Sequence, residues 1–505
     1  MNTPIISGFH PDPSICRVGD TYYLATSTFE YLPGVPLHRS TDLVNWDLLG
    51  NALEGPHQLP PNAGRGLVGI YAPTLRHHDG RFWLVTTDVG RVREGQLIVW
   101  ADDPAGPWSE AIFVRGAIGI DPDLAWDEDG VCHLTWASAL PTLSGIASVP
   151  IDPTTGEMLA KPRLLWPGTG LRATEAPHLY RIDGWWYLLL AEGGTERGHC
   201  VTIGRARTLD GPWEAAPHNP ILSHRSQEHP VQNTGHADLV QLADGTWAMV
   251  YLGVRPRGKT PSFHVNGRET FLAGIDWADG WPVVAEDRFP VPATDHSFVD
   301  VFAEPALHPR WVGPGENPRV FSRRDDEGRL VVARPDDAAW PTALMTRVRD
   351  HAWSAEVTVD ALQGAARLQL RLDSDHWYGL RLAAGAVEAV LAVGPAVTTV
   401  GRVPLTAVSF PLRLRLTATE PISADPFRPR DEPDLIELTV IAADGVETSF
   451  GPFDGRYLST EVAGGFTGRT VGVEVEEGAV VLSEFRYQSA SAPATLSASS
   501  AQETP

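Results

Sequence analysis

One short pattern recurs five times along this chain, and it restricts the fold more than any other feature. A turn of Asp/Gly type followed by aromatic or apolar residues reads GDTYYL at 19–24, DGRFWL at 79–84, DGVCHL at 129–134, DGWWYL at 183–188 and DGTWAM at 244–249. Successive copies begin 60, 50, 54 and 61 residues apart. Strand-like runs such as PTLRHH, PDLAWD, PHLYRI and ADLVQL precede them, and Asp-Gly between two such runs marks a hairpin. A period of about 50–60 residues with several strands per unit fits the blades of a propeller. Five units predict a five-bladed β-propeller over residues 1–290. The competing reading is an irregular all-β sandwich with coincidental Asp-Gly turns.

Composition agrees with many short strands. Gly (48) and Pro (43) are in excess for a globular chain, and turn formers beside Trp, Tyr and Phe favour strands over long helices. The net charge of −23 over 505 residues argues against nucleic acid or an anionic membrane as partner, since both select Lys/Arg patches. No stretch approaches the roughly 18 apolar residues needed to span a bilayer. Met1 to Gly8 lacks the basic flank and apolar run of a secretory signal. Cys16, Cys132 and Cys200 are odd in number, far apart and in no metal-binding spacing. A cytoplasmic protein is the expectation.

The residues that open the inner strands carry the chemistry. Counting back from each hairpin lands on Asp12, Tyr71, Asp121, Glu175 and His236, to within about one residue. In a propeller these positions converge on the mouth of the central channel. Several carboxyl groups at one mouth repel each other, so at least one pKa is pushed up while another group stays ionised. Such a pair can cleave a glycosidic bond; the same cluster can also hold a divalent ion or be purely structural.

Longer stretches decide further. GFHPDPSICRVGDTYYLATSTFEYLPGVPLHRSTDLVNW, GIYAPTL, IDPDLAWDEDG, TEAPHLY, AEGG, NTGHADLV and GRET together resemble glycoside hydrolase family 43, in particular its β-xylosidase and α-L-arabinofuranosidase members. The resemblance covers nearly the whole chain. It implies a five-bladed propeller and inversion of anomeric configuration, in agreement with the repeat count.

Carried over by motif, Asp12 in HPDPS resembles the general base that deprotonates the attacking water, and Glu175 in TEAPH the general acid. Asp121 in IDPD is similar to the third acid, which orients Glu175 and raises its pKa, with Asp123 as its competitor for that role. Arg268 in NGRET matches a substrate-contacting arginine; a rigid fork of donors suits sugar hydroxyls and would hold Asp12 ionised. His236 in NTGHADLV matches a supporting histidine that in some members bonds waters around a Ca²⁺. Phe29 in TSTFEY and Tyr71 in GIYAP are expected to wall the sugar pocket. Many relatives carry Trp at the position of Tyr71 and Asp at that of Thr74, which leaves the acid-base set intact and the sugar preference open.

After the last repeat, residues 291–300 read as a linker, and strict alternation follows in AEVTVD, ARLQLRLD, LRLRLTA, LIELTVIA and VGVEVEE. That pattern predicts a β-sandwich, concanavalin- or jelly-roll-like, over 301–488, and residues 489–505 read as a disordered tail. The resemblance implies that a loop from this domain closes the pocket into a short blind cavity, favouring release of single sugars. An independent carbohydrate-binding module is the other reading of the domain.

Taken together, the expected activity is release of xylose from β-1,4-xylooligosaccharides at the nonreducing end. Removal of α-L-arabinofuranosyl groups, alone or in addition, is the alternative, and a noncatalytic glycan-binding propeller ranks third. The expected partner is a xylo- or arabinoxylo-oligosaccharide, with no nucleic acid and no membrane; a homo-oligomer is left open. No cofactor is required by this chemistry. A lone His without a contiguous acidic loop leaves Ca²⁺ open as well.

Overall fold

The computed structural model describes residues 3–59, 69–258, 260–383, 385–405, 409–421 and 432–490. Its amino-terminal part is five antiparallel sheets in chain order. Blade 1 comprises Ser14–Val18, Thr21–Ala25, Gly34–Ser40 and Asp47–Leu53. Blade 2 comprises Thr74–His78, Arg81–Thr86, Gln96–Ala101 and Ile112–Val114. Blade 3 begins with Gly119–Trp126 and Cys132–Ser138, blade 4 with Glu175–Ile182 and Trp185–Glu192, and blade 5 with Gln232–Gln241 and Trp247–Val254. The repeat thus sets one blade per copy. In the turns Asp79–Gly80 and Asp183–Gly184 both residues have positive φ (49° and 77° in each), as a two-residue I′ hairpin requires.

Apolar residues on alternating strand positions pack blade against blade. Trp83, Val85 and Ile98 of blade 2 meet Leu124, Leu134 and Val149 of blade 3 in one buried cluster. Ring closure joins the chain's start to blade 5: Ile6 bridges Thr270, and Ile5, Ile6, Ile15 and Leu24 pack with Val240, Val250 and Leu272.

The second domain is built on two long strands, Trp353–Arg371 and Thr470–Ser489, antiparallel to one another along their lengths. Register breaks between Val359 and Ala361 and between Ala365 and Ala366 bend the pair. One end pairs onward to Leu412–Thr419, Leu435–Ile441 and Glu447–Asp454. The other end pairs with His376–Ala383 on one side and Thr342–Arg347 on the other. Val357, Leu414 and Leu438 from the first half share one core with Leu368, Leu380 and Val473 from the second. Two points depart from the boundaries drawn on sequence. Phe298–Asp300, within the stretch read as linker, pairs with Phe485–Tyr487 as an edge strand, because Phe298 alone supplies an apolar face that stacks on Phe485 and Tyr487. Ser489, assigned to the tail, ends the last strand and donates to Asp350; the remainder of that tail, 491–505, lies outside the described residues.

The sandwich braces the propeller directly behind the channel mouth. Phe9 and Tyr31 of the propeller share a buried cluster with Val312, Ala343 and Met345. Arg347 Nε donates to the carbonyl of Phe9 at 3.0 Å, and Arg371 pairs with Glu30 at 3.3 Å and with the Tyr31 hydroxyl. A loop preceding Thr470 is pinned to the propeller where Gly267 and Gly468 meet. An ideal Cβ on Gly267 would lie 2.8 Å from the Gly468 nitrogen, and its φ of +75° also favours glycine.

The far side of that loop is held by Arg469, which pairs with Asp434 while its Nε donates to the Leu458 carbonyl at 2.8 Å. Both charged side chains are buried, so removing one partner leaves the other uncompensated. Asp434→Ala is expected to destabilise the full chain by about 3–5 kcal/mol, read from equilibrium unfolding in denaturant.

Candidate active site

Each inner strand of blades 3 to 5 is interrupted where it reaches the channel mouth. The ladder slips between Ile120 and Asp123 in blade 3, between Glu175 and His178 in blade 4, and twice between Gln232 and Asp238 in blade 5. Bulges of this kind re-aim side chains. Asp12, Asp121 and Ala176 stand at φ of 57°, 54° and 51°, each immediately before a proline. Proline suits the following position, because it has no N–H to leave unpaired where the ladder is broken. Asp tolerates the left-handed region better than most residues. Ala176 has no such ease, and its N–H is held instead by Asp121 Oδ2 at 3.2 Å. Asp121 thereby fixes the turn that presents the adjacent Glu175.

Asp12 is 4% exposed and fully engaged. Ser27 Oγ donates to its Oδ2 at 2.5 Å, Arg268 Nη1 to its Oδ1 at 3.1 Å, and His236 Nδ1 lies 3.5 Å from Oδ1. Burial pushes its pKa up, but the Arg268 guanidinium, with His236 and the Ser27 hydroxyl behind it, outweighs burial and holds the carboxyl below its ordinary value. Burial holds His236 itself down to about 3, so the ring is neutral near pH 7 and the main pull on Asp12 is that of Arg268.

The other two acids move the opposite way. Burial, then the charge of Asp12, raises Glu175 to about 7, against the opposing effect of Arg268. Burial, then Glu175 and Asp12, puts Asp121 well above the usual carboxylate range. One mouth therefore holds an ionised carboxylate and, near neutrality, a protonated one, which is the division of labour that acid-base cleavage of an acetal requires.

Asp123, the competitor for the third-acid role, occupies a different layer. It is fully buried, accepts from Leu179 N at 2.8 Å and pairs with Arg76 at 2.8 Å. Arg76 also pairs with Asp238 at 2.8 Å, which accepts from Ser14 Oγ at 2.7 Å and from the Tyr180 hydroxyl. This hub ties the inner strands of all five blades together below the mouth, and Asp123 belongs to it.

The walls are aromatic. Phe29 lies edge-on to Tyr71 with ring centroids 5.3 Å apart, and both meet Phe466, at 5.5 and 5.8 Å. Phe466 comes from the sandwich loop before Thr470. Arg268 sits between Phe29 and Phe466, 5.4 Å from each ring, and its Nη1 also donates to Thr195 at 2.9 Å. One arginine thus touches Asp12, Phe29 and the sandwich loop that carries Phe466. Phe466, Ser27, Thr195 and the Arg76 hub were not singled out from the sequence. A single Phe in the glycine-rich run AGGFTG carries no periodicity, and Ser27 and Thr195 lie in short polar segments without a pattern.

Around His236 the chain offers two further imidazoles, His178 and His199, whose charges act on it, and one carboxylate already held by Arg268 and Ser27. Ca²⁺ takes about six to eight oxygen ligands. These residues do not supply such a shell, so a Ca²⁺ ion would fit here only with most of its waters retained.

A model of glycosyl hydrolases family 43 matches residues 1–282. A non-reducing end alpha-L-arabinofuranosidase of Bacteroides ovatus is 46% identical over 294 residues, 57% of this chain and 54% of that protein. A xylan 1,3-beta-xylosidase of a Vibrio species is 41% identical over 313 residues, 58% of each. The chain thus spans a little over half the length of these curated relatives. The solved structure of a xylan beta-1,4-xylosidase from Bacillus halodurans superposes with a TM-score of 0.84 at 28% identity, covering 97% of this chain and 100% of that one.

Proposed function

We propose that this chain, which belongs to glycosyl hydrolase family 43, releases single xylose units from the nonreducing end of β-1,4-xylooligosaccharides with inversion at the anomeric carbon. The observation that carries this reading is the opposite displacement of two carboxyls at one mouth, Asp12 kept ionised and Glu175 held protonated to about pH 7. A water between Asp12 and the anomeric carbon gives its proton to Asp12 as its oxygen attacks. Glu175 passes its proton to the glycosidic oxygen, the C–O bond breaks, and xylose leaves as the α-anomer. Inverting enzymes place the two carboxyls roughly 6.5–9.5 Å apart to admit that water. Asp121 acts by positioning Glu175 through the Ala176 N–H.

Attack on chain ends is supported by the aromatic wall. Phe466, Phe29 and Tyr71 line one side of the mouth, with Arg268 bound to the Phe466 carbonyl at 3.5 Å, and a wall that a second domain contributes there favours a chain end over a continuous chain. Phe466→Ala is expected to lower kcat/KM on xylobiose about tenfold, mainly through KM, the cost of one lost aromatic face. Unchanged kinetics would mean that the ring does not contact the sugar.

A second reading, removal of α-L-arabinofuranosyl groups, is favoured by the likeness to the arabinofuranosidase named above, 46% identical over 294 residues. Initial rates on β-1,4-xylobiose, β-1,3-xylobiose and an α-L-arabinofuranosyl-xylooligosaccharide, compared side by side, test the choice. Fastest release from β-1,4-xylobiose is the expected result. Faster arabinose release assigns the pocket to debranching, and no turnover with sugar binding retained overturns the enzymatic reading altogether.

A further inference from the structure

A second convergence of ionisable side chains lies outside the channel, at the seam between blades 4 and 5. His224 and His229 belong to the connection between the strands Glu214–Ala215 and Gln232–Gln241, and Glu286 directly follows the strand Trp281–Ala285. One ligand atom from each of the three lies within 4.8 Å of the others. Even if all three separations were at that limit, their common centre would be about 2.8 Å from each atom. A Zn²⁺ ion binds His nitrogen and carboxylate oxygen at about 2.0–2.2 Å, so closure needs a movement of well under 1 Å per ligand.

The surroundings are those of a metal site. His224 Nδ1 lies 2.8 Å from the buried carbonyl of Val231, while His229 Nδ1 lies 3.0 Å from that carbonyl and accepts from the Val231 N–H at 3.2 Å. A ligating histidine commonly has its second nitrogen fixed by a backbone carbonyl, which in His224 leaves Nε2 for the metal. The Tyr251 hydroxyl donates to Glu286 Oε1 at 3.0 Å, the matching outer partner of the carboxylate. Both nitrogens of His224 face acceptors, Val231 O at Nδ1 and Glu286 at Nε2, at 3.0 Å for the nearer carboxylate oxygen. A cavity of about 410 Å³ lined by Ser223, His224, Arg225, Gln227 and Glu286 opens onto two of the three side chains.

We propose that His224, His229 and Glu286 bind one divalent transition-metal ion of the zinc class, clamping the connection between blades 4 and 5 to the outer edge of blade 5. Two imidazoles and one carboxylate suit Zn²⁺ or Co²⁺ and do not suit Ca²⁺, which prefers an all-oxygen shell. The site is separate from the channel residues, so it acts on stability and not on the chemistry.

Co²⁺ titration of the full chain, stripped with chelator and desalted, tests this by visible absorption. One equivalent should give d–d bands that one equivalent of Zn²⁺ abolishes, and Zn²⁺ should raise the thermal midpoint by several degrees. His229→Gln should weaken Co²⁺ binding at least tenfold and remove the Zn²⁺-dependent rise, while the metal-free midpoint and the hydrolytic rate stay as in the parent chain. Glu286→Gln should also lose the bands. If His229→Gln folds poorly, His229→Asn takes its place under the same expectation. Absence of bands in the parent chain overturns the site, as do bands of equal strength in the His229 and Glu286 variants, which would place the metal on the channel imidazoles.

Discussion

Glu175→Gln lowers kcat on β-1,4-xylobiose by roughly 10²–10⁴-fold, the range usual for loss of one general acid or base, while aryl xylosides with good leaving groups lose far less. The reason is the proton. A sugar leaving group must be protonated as it departs, whereas an activated phenolate departs without help. The pH profile carries a second signature. Glu175 acts only when protonated, and burial together with the charge of Asp12 holds its pKa at about 7. Activity of the parent chain therefore falls as pH rises through about 7, and in Glu175→Gln that alkaline limb disappears because Gln does not titrate. Equal losses on both substrates, or an alkaline limb that survives the substitution, would remove Glu175 from the acid's role. Rate measurements on xylobiose and on an aryl xyloside from about pH 4 to about pH 9, which bracket the acid's pKa of about 7, decide it.

Asp12→Asn is the second large effect. Here the loss is expected to be roughly 10⁴-fold and the same on natural and activated substrates, because without a base no water is activated whatever the leaving group. The substitution also removes the charge that most raises Glu175. The alkaline limb of whatever activity is left should accordingly move below pH 7. Arg268, Ser27 and His236 all meet this carboxylate, so Asn, which keeps the shape and one acceptor oxygen, is the appropriate replacement. Comparison of the unfolding midpoints of the variant and the parent separates loss of a base from loss of structure.

The two predictions show which parts of the molecule can be read from sequence and which cannot. Hairpins were legible because their signal is local. Asp79–Gly80 and Asp183–Gly184 adopt left-handed angles that few other pairs accept, and the five copies of the Asp/Gly hairpin motif set the blade count. The acids were legible because a residue opening an inner strand is aimed at the channel, and the proline beside it marks the break in the ladder. Asp121 and Asp123 looked alike in IDPD; only the bulge between Ile120 and Asp123 sends one to the mouth and the other into the Arg76 hub. Phe466 could not be found in this way. Its place depends on contact between two domains nearly two hundred residues apart in sequence, through Arg268 and the close approach of Gly267 to Gly468. The linker boundary failed for a related reason. Phe298–Asp300 is too short to show a period of its own and becomes a strand only because Phe485–Tyr487 is there to pair with it.

The central claim is direct displacement by water, with Asp12 as base and Glu175 as acid. Proton NMR of the xylose first released from β-1,4-xylobiose by the purified chain tests it most directly, because the anomeric signals separate before mutarotation mixes them. α-Xylose is expected first and β-xylose only later, by mutarotation. β-Xylose appearing first would mean two displacements through a covalent intermediate and would contradict direct displacement.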